Sequence, residues 1–194
     1  PAPADNVGLT NDVTGLPITE GQSTSDVTPV LSGTGEVGST VTVTDGDTVL
    51  GTTTVDADGN WNFTTPTLGA GDHSLSATVT DPAGNSSAAS DPITFTVDTA
   101  APAVASEVVL NNDTETPPVQ IVSGGITNDA TPVLSGIGEA GTIVFVSDGV
   151  NPLGSTTVNG DGTWSFTTPI LGEGEHNLSV TLVDAAGNSS PATT

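Results

Sequence analysis

The chain has 194 residues, with 23 Asp and Glu, two His and no Lys or Arg, which gives a formal charge of -23. A chain of this sign repels nucleic acid and anionic membranes. With no Lys or Arg it has no clamp for a phosphoryl group, no Schiff-base amine and no Lys–Asn isopeptide staple. It has no Cys and so no disulfide, it shows no signal-peptide pattern, and no apolar run approaches the roughly 20 residues that span a bilayer.

Val, Ile, Leu and Thr recur at strand spacing, while the acids are scattered singly, which is the mark of a folded β protein rather than an acidic disordered chain. Strands are predicted near 6–10, 28–33, 40–44, 48–55, 61–65, 73–80 and 92–97. The stretches TVTVT (40–44) and HSLSATVT (73–80) alternate as half-buried strands do. Between them DGD (45–47), DADGN (56–60), LGAGD (68–72) and DPAGN (81–85) carry turn chemistry. No helical period appears. Trp61 opens a strand and is read as a core anchor.

The whole pattern then returns. Residues 24–91 align without a gap to 127–194 at an offset of 103, and 41 of the 68 positions are identical. Trp164 repeats Trp61, and DAAGNSS (184–190) repeats DPAGNSS (81–87). Upstream, GLTND (8–12) is matched by VLNND (109–113), with a longer loop following in the second copy. The fold expected is all-β: two tandem immunoglobulin-like β-sandwich domains in series, residues 1–98 and 99–194, with about seven strands each. The joint VDTAAP (97–102) is short, and Pro102 stiffens it. The second copy stops before a match to ITFTV (93–97), and PAPAD (1–5) reads as the tail of a preceding linker. Repeats are therefore expected to continue on both sides.

Few residues suggest catalysis. His73 and His176 occupy matching positions, each after an acid, Asp72 or Glu175. They are read as structural residues at a loop-to-strand corner rather than as acid–base catalysts. Nothing resembles a nucleophile elbow, and a paired-carboxylate hydrolase would need a cleft that two small sandwiches do not offer. The chain is accordingly expected not to be an enzyme. NxS/T sequons such as Asn85-Ser86-Ser87 are frequent by chance in so Ser/Thr-rich a chain and carry little weight.

The acids are the informative residues. Following the strand directions, Asp98 leaves the lower end of the first domain. The upper loops of the second hold Glu139, Asp161, Asp184 and Asn188. Carboxylates meeting there without a basic partner would repel one another. A hard dication relieves that repulsion, and calcium accepts six to eight oxygen ligands. Zinc would call for His or Cys. DADGN resembles the opening of a calcium loop, but NGDGT (159–163) lacks its first Asp and neither copy has the later Glu. Asp12 and Asp26, matched by Asp113 and Asp129, lie at the lower ends. They form either a second site or part of the Asp98 site. Calcium is thus the expected cofactor.

Taken together, SDVTPVLSGTGEVGSTVTV, TVDADGNWNFTTP, ATVTDPAGNSS and VDTAAP resemble the tandem bacterial immunoglobulin-like repeats of giant secreted surface adhesins and biofilm-associated proteins, of the BapA/SiiE type. The resemblance spans nearly the whole chain. It implies a secreted protein of the bacterial cell surface, with many copies in series, that supports cell adhesion and biofilm formation. It also implies calcium at the domain junctions, with Asp98 of the VDT-x-AP pattern as a ligand. The partners expected are the neighbouring repeats of the same chain, and a host or abiotic surface reached through other domains. Nucleic acid and membrane insertion are not expected, and the segment is expected to be monomeric. The alternative is a module that binds glycan or protein directly. Two Trp, four Phe and no Tyr make a poor recognition surface.

Overall fold

The computed structural model describes residues 1–193. The chain divides into two units, Pro1–Thr99 and Ala100–Thr194. Every named element is a β-strand.

The first unit contains β1 (Asp5–Thr10), β2 (Pro17–Ile18), β3 (Ser23–Thr24), β4 (Val30–Thr34), β5 (Thr40–Asp45), β6 (Thr48–Thr54), β7 (Asn60–Thr64), β8 (Gly71–Thr80) and β9 (Ile93–Val97). They form two sheets, ordered β2-β1-β4-β7 and β3-β9-β8-β5-β6. All pairings are antiparallel except β3 with β9. Alternation decides which face is buried. Val41 and Val43 of β5 and Leu75, Ala77 and Val79 of β8 are at most 1% exposed, while the Thr residues between them face outward. They meet Leu9, Leu31 and Trp61 of the other sheet in one core.

The seven predicted strands are present, with ends shifted by up to two residues. The two-residue strands β2 and β3 have too few residues to show alternation, and they gain their order from β1 and β9.

The second unit repeats the plan with β10 (Ser106–Asn112), β11 (Val119–Ile121), β12 (Val133–Ile137), β13 (Ile143–Asp148), β14 (Asn151–Thr157), β15 (Thr163–Thr167) and β16 (Leu178–Val183). Its sheets are β11-β10-β12-β15 and β14-β13-β16. β16 is shorter than its counterpart β8. In the first unit, residues 71–75 are held in register by β9. Among the described residues no strand takes that place beside β16, which has isolated bridges from Val180 to Thr193 and from Val183 to Ser189. His176 consequently lies just before its strand, whereas His73 lies within β8.

Each Trp fixes a glycine across the sheet. Gly33 pairs with Trp61, and a Cβ on Gly33 would lie 2.7 Å from the indole ring and 2.9 Å from the Asp5 carbonyl oxygen. Gly136 stands in the same relation to Trp164 and Ser106, at 2.8 and 3.0 Å. Trp61 and Trp164 are 3% and 2% exposed, so the expected core anchors are core residues.

Candidate functional site

Strand directions sort the acidic loops to the two ends of each sandwich. In the first unit Glu36, Asp56, Asp58, Asp81 and Asn85 lie in the β4–β5, β6–β7 and β8–β9 connections, which share the upper end. In the second, Glu139 lies between β12 and β13, Asp161 between β14 and β15, and Asp184 and Asn188 after β16, at the equivalent end. Main-chain bonds tie these loops together: Gly138 N donates to Gly162 O at 2.9 Å, and Gly141 N to Val158 O at 3.0 Å.

The side chains there are organised by local turns. Asp184 Oδ1 accepts hydrogen bonds from the backbone N–H of Ala186 and Asn188, both at 2.9 Å, and Asp184 Oδ2 accepts one from Asn188 Nδ2 at 2.9 Å. Burial pushes the Asp184 carboxyl up, and the donors of Asn188, Ala186 and Gly187 outweigh it and hold it below the usual range. Asp161 Oδ1 accepts from Thr163 Oγ1 at 2.7 Å and Thr163 N at 2.9 Å, and these bonds lower its carboxyl too. The exposed Glu139 contributes its main-chain carbonyl to Thr142. In the first unit Asp56 Oδ1 accepts from Asp58 N and Asn60 N, at 2.9 and 2.8 Å.

At the lower ends the structure brings together the two pairs expected from sequence. Asp26 is 7% exposed, and its two oxygens accept from Asp12 N and Thr28 N, both at 2.8 Å. Asp12 Oδ2 in turn accepts from Thr28 Oγ1 at 2.9 Å. Asp129, 5% exposed, repeats this with Asp113 N at 3.2 Å and Thr131 N at 2.9 Å. Asp26 and Asp129 therefore close the long loop after the first strand of their units. Asp98 follows β9 at the same end of the first unit, and its N–H donates to Thr24 O at 2.9 Å.

The donors at both ends are carboxylate, amide and main-chain oxygens, the chemistry that calcium selects. Among the described residues, no three or more His, Asp or Glu are gathered in a group able to hold a metal ion. Acid side chains alone thus make no complete cage.

The two histidines have partners that the adjacent acids did not suggest. His73 Nδ1 lies 2.7 Å from Asp45 Oδ2 in the β5–β6 hairpin, and His73 Nε2 lies 2.8 Å from Gly69 O. Ser74 N donates to the other Asp45 oxygen at 2.8 Å. The second unit repeats this geometry with His176, Asp148, Gly172 O and Asn177 N, at 2.7, 2.9 and 2.7 Å. Both ring nitrogens face acceptors, so the imidazolium, with two N–H donors, satisfies both contacts. Burial works against the charge on His73, and Asp45, Gly69 O and Asp72 more than offset it and raise its pKa. Asp148 and Gly172 O do the same for His176. Neither ring offers a free lone pair to a substrate, which agrees with the structural reading. One signal was available in the sequence: an Asp-Gly turn stands 28 residues before the His in both copies.

A family model described as the bacterial Ig-like domain matches residues 5–99 and, separately, 103–194. The chain belongs to the bacterial Ig-like domain family. No curated protein sequence is significantly similar to it. Among solved structures, this pair of bacterial Ig-like domains is similar to fibronectin(III)-like modules of Clostridium thermocellum CbhA, with 19% identity, 95% of this chain and 90% of that one covered, and a TM-score of 0.48. It is also similar to a tetra-tandem repeat in the extending region of a large adhesion protein, at 26% identity, 98% and 48% coverage and a TM-score of 0.34. The BSP domain of a biofilm associated protein is 22% identical over 89% of this chain and 27% of that one, with a TM-score of 0.32. The two bacterial Ig-like domains thus match about half of the adhesion-protein chain and about a quarter of the biofilm-associated one. No helix among the described residues is long and apolar enough to cross a membrane.

Proposed function

We propose that this pair of bacterial Ig-like domains is an extender segment of a secreted bacterial cell-surface adhesin. It serves cell adhesion and biofilm formation by spacing an adhesive region from the cell, without enzymatic activity of its own. The observation that carries this reading is the duplication itself: 41 of 68 aligned positions are identical. The repeated positions include the core Trp, its facing Gly, the loop acids Glu36, Asp58 and Asp81 with their counterparts Glu139, Asp161 and Asp184, and the His–Asp pairs. A repeated recognition module would diversify its loops, whereas a spacer has only to keep folding.

We further propose that calcium binds oxygen ligands at the joint: Asp98 from one domain with Glu139, Asp161, Asp184 and Asn188 from the next. Asp12 and Asp113, beside the turn-closing Asp26 and Asp129, supply carboxylates at the lower ends for the same purpose along a longer array. The support is chemical. The donors are all oxygen, and the chain has no Lys or Arg to neutralise them. An ion bound only by the native state stabilises it by mass action, by about 2.7 kcal/mol at a hundred times its Kd. Thermal unfolding in calcium and in excess EDTA tests this, with Asp98→Ala as the variant. Calcium raises the melting temperature of the parent and raises it less for the variant. Equal calcium affinity in parent and variant would remove Asp98 from the site.

A further inference from the structure

The β6–β7 turn differs between the copies at one position that carries chemistry. Where the first repeat has Asp56-Ala57, the second has Asn159-Gly160, the only Asn-Gly dipeptide in the chain. Both residues are exposed. The turn is closed by Gly162 N donating to Asn159 O at 2.9 Å and by Asn159 N donating to Thr163 O at 2.8 Å. Gly160 N has no hydrogen-bond partner among the described residues. The Asn159 amide is held by a single long contact, Nδ2 donating to Thr163 Oγ1 at 3.2 Å. In the first repeat the equivalent Asp56 carboxylate accepts two short bonds, from Asp58 N and Asn60 N. The neighbour Thr163 N is instead taken by Asp161.

From this we infer that Asn159 is a self-modification site: it deamidates through Gly160, and the aspartyl product closes the turn as Asp56 does. The Gly160 main-chain nitrogen attacks Asn159 Cγ. A C–N bond forms, and Nδ2 leaves as ammonia, carrying the proton lost from Gly160 N. Water then opens the five-membered imide. Attack at Cγ gives Asp, and attack at the main-chain carbonyl gives isoaspartate. Nothing is oxidised or reduced, and water is the only co-reactant. Residue 160 must lack a Cβ for the nitrogen to approach freely, and it must have no competing bond to its N–H. Gly160 meets both conditions, and Ala57 in the first repeat fails the first. The product carries one more negative charge than Asn, on the same loop end as Glu139, Asp161 and Asp184. Old and newly made copies of the second repeat would therefore differ in charge there, while the first repeat carries its Asp from synthesis.

The test uses the full chain, incubated at mildly alkaline pH, digested and read by mass spectrometry. The expected result is a gain of one mass unit in the peptide containing residue 159, ahead of every other Asn. Gly160→Ala should slow it by roughly tenfold or more, because the added Cβ restricts the approach. Conversion of residue 159 at the same rate in parent and Gly160→Ala would overturn the inference. The turn-closing part is read separately from Asn159→Asp, which should melt above the parent by a few degrees. A melting temperature at or below that of the parent would overturn that part.

Discussion

The paired histidines make the stability of each domain fall as pH rises through their raised folded pKa. Consider Asp45→Asn. The Asn Oδ1 can still accept from Ser74 N, and its Nδ2 can donate to a neutral His73 Nδ1, leaving Nε2–H to donate to Gly69 O. Geometry and satisfaction survive, and only the charge is removed. A hydrogen bond to a charged group contributes about 1.5–3 kcal/mol against about 0.5–1.5 for a neutral one. The pair is partly exposed, with side chains 12% and 22% accessible, and screening pulls the difference toward the lower end, about 1 kcal/mol. For a domain of this size that is about 4–8 °C in melting temperature. The sign follows from linkage. The folded pKa of His73 is raised above its ordinary value of 6.5 by the acceptors around it, despite the opposing effect of burial. The extra stability is therefore fully present below 6.5 and is lost as pH rises through the folded pKa. The groups facing the ring are Asp45 from β5, Asp72 from β8 and Gly69 O from the preceding loop, with Phe95 of β9 5.5 Å away. The assay is thermal unfolding of the parent and of the double variant Asp45→Asn, Asp148→Asn at half-unit steps between pH 5.5 and 9. The parent should lose stability across the window, the double variant should show a flatter profile, and the two should converge at the alkaline end. Parallel profiles, or a parent that gains stability as pH rises, would refute the reasoning.

Gly33→Ala places a methyl against the Trp61 ring and a main-chain carbonyl, neither of which is a flexible side-chain tip, and should cost about 1–3 kcal/mol. Gly8→Ala, with open space at its Cβ, is the control and should be close to neutral, both read by urea midpoints. Glu107 holds a φ of 50° where the first repeat has Asn6 at 51°, and Asn tolerates that region better, so Glu107→Asn should raise stability by up to about 1 kcal/mol. Asp26→Ala removes the acceptor of two main-chain N–H groups and should cost about 1–3 kcal/mol, with Asp129→Ala behaving alike.

Much of the fold was legible because alternation and duplication are strong signals. Val41, Thr42 and Val43 declare a half-buried strand without reference to anything distant, and the second copy confirms which positions are held. What escaped depended on contacts far apart in sequence. Nothing local marks Ser23–Thr24 as a strand, since its order comes from Val97, more than 70 residues away. The His partners escaped for the same reason. Asp72 beside His73 drew attention, while Asp45, brought near by the β5–β8 pairing, holds the ring. The turn acids were legible as turn formers, and strand direction placed them at the correct ends of their own domains. Their hydrogen bonds were not legible, because the choice between binding an N–H and facing outward is made by backbone geometry within a single turn. Asp26 shows this: it resembles any scattered surface acid in sequence, and it is buried as the lock of a loop.

We propose above that the acids serve as calcium ligands that stiffen this two-domain segment. Small-angle scattering of this two-domain chain in calcium and in excess EDTA, under otherwise identical conditions, tests it most directly. Calcium should give a larger maximum dimension, with the pair-distance distribution extending to longer distances, an effect reversed by EDTA and weakened by Asp98→Ala. Scattering curves that superimpose in the two conditions would contradict it.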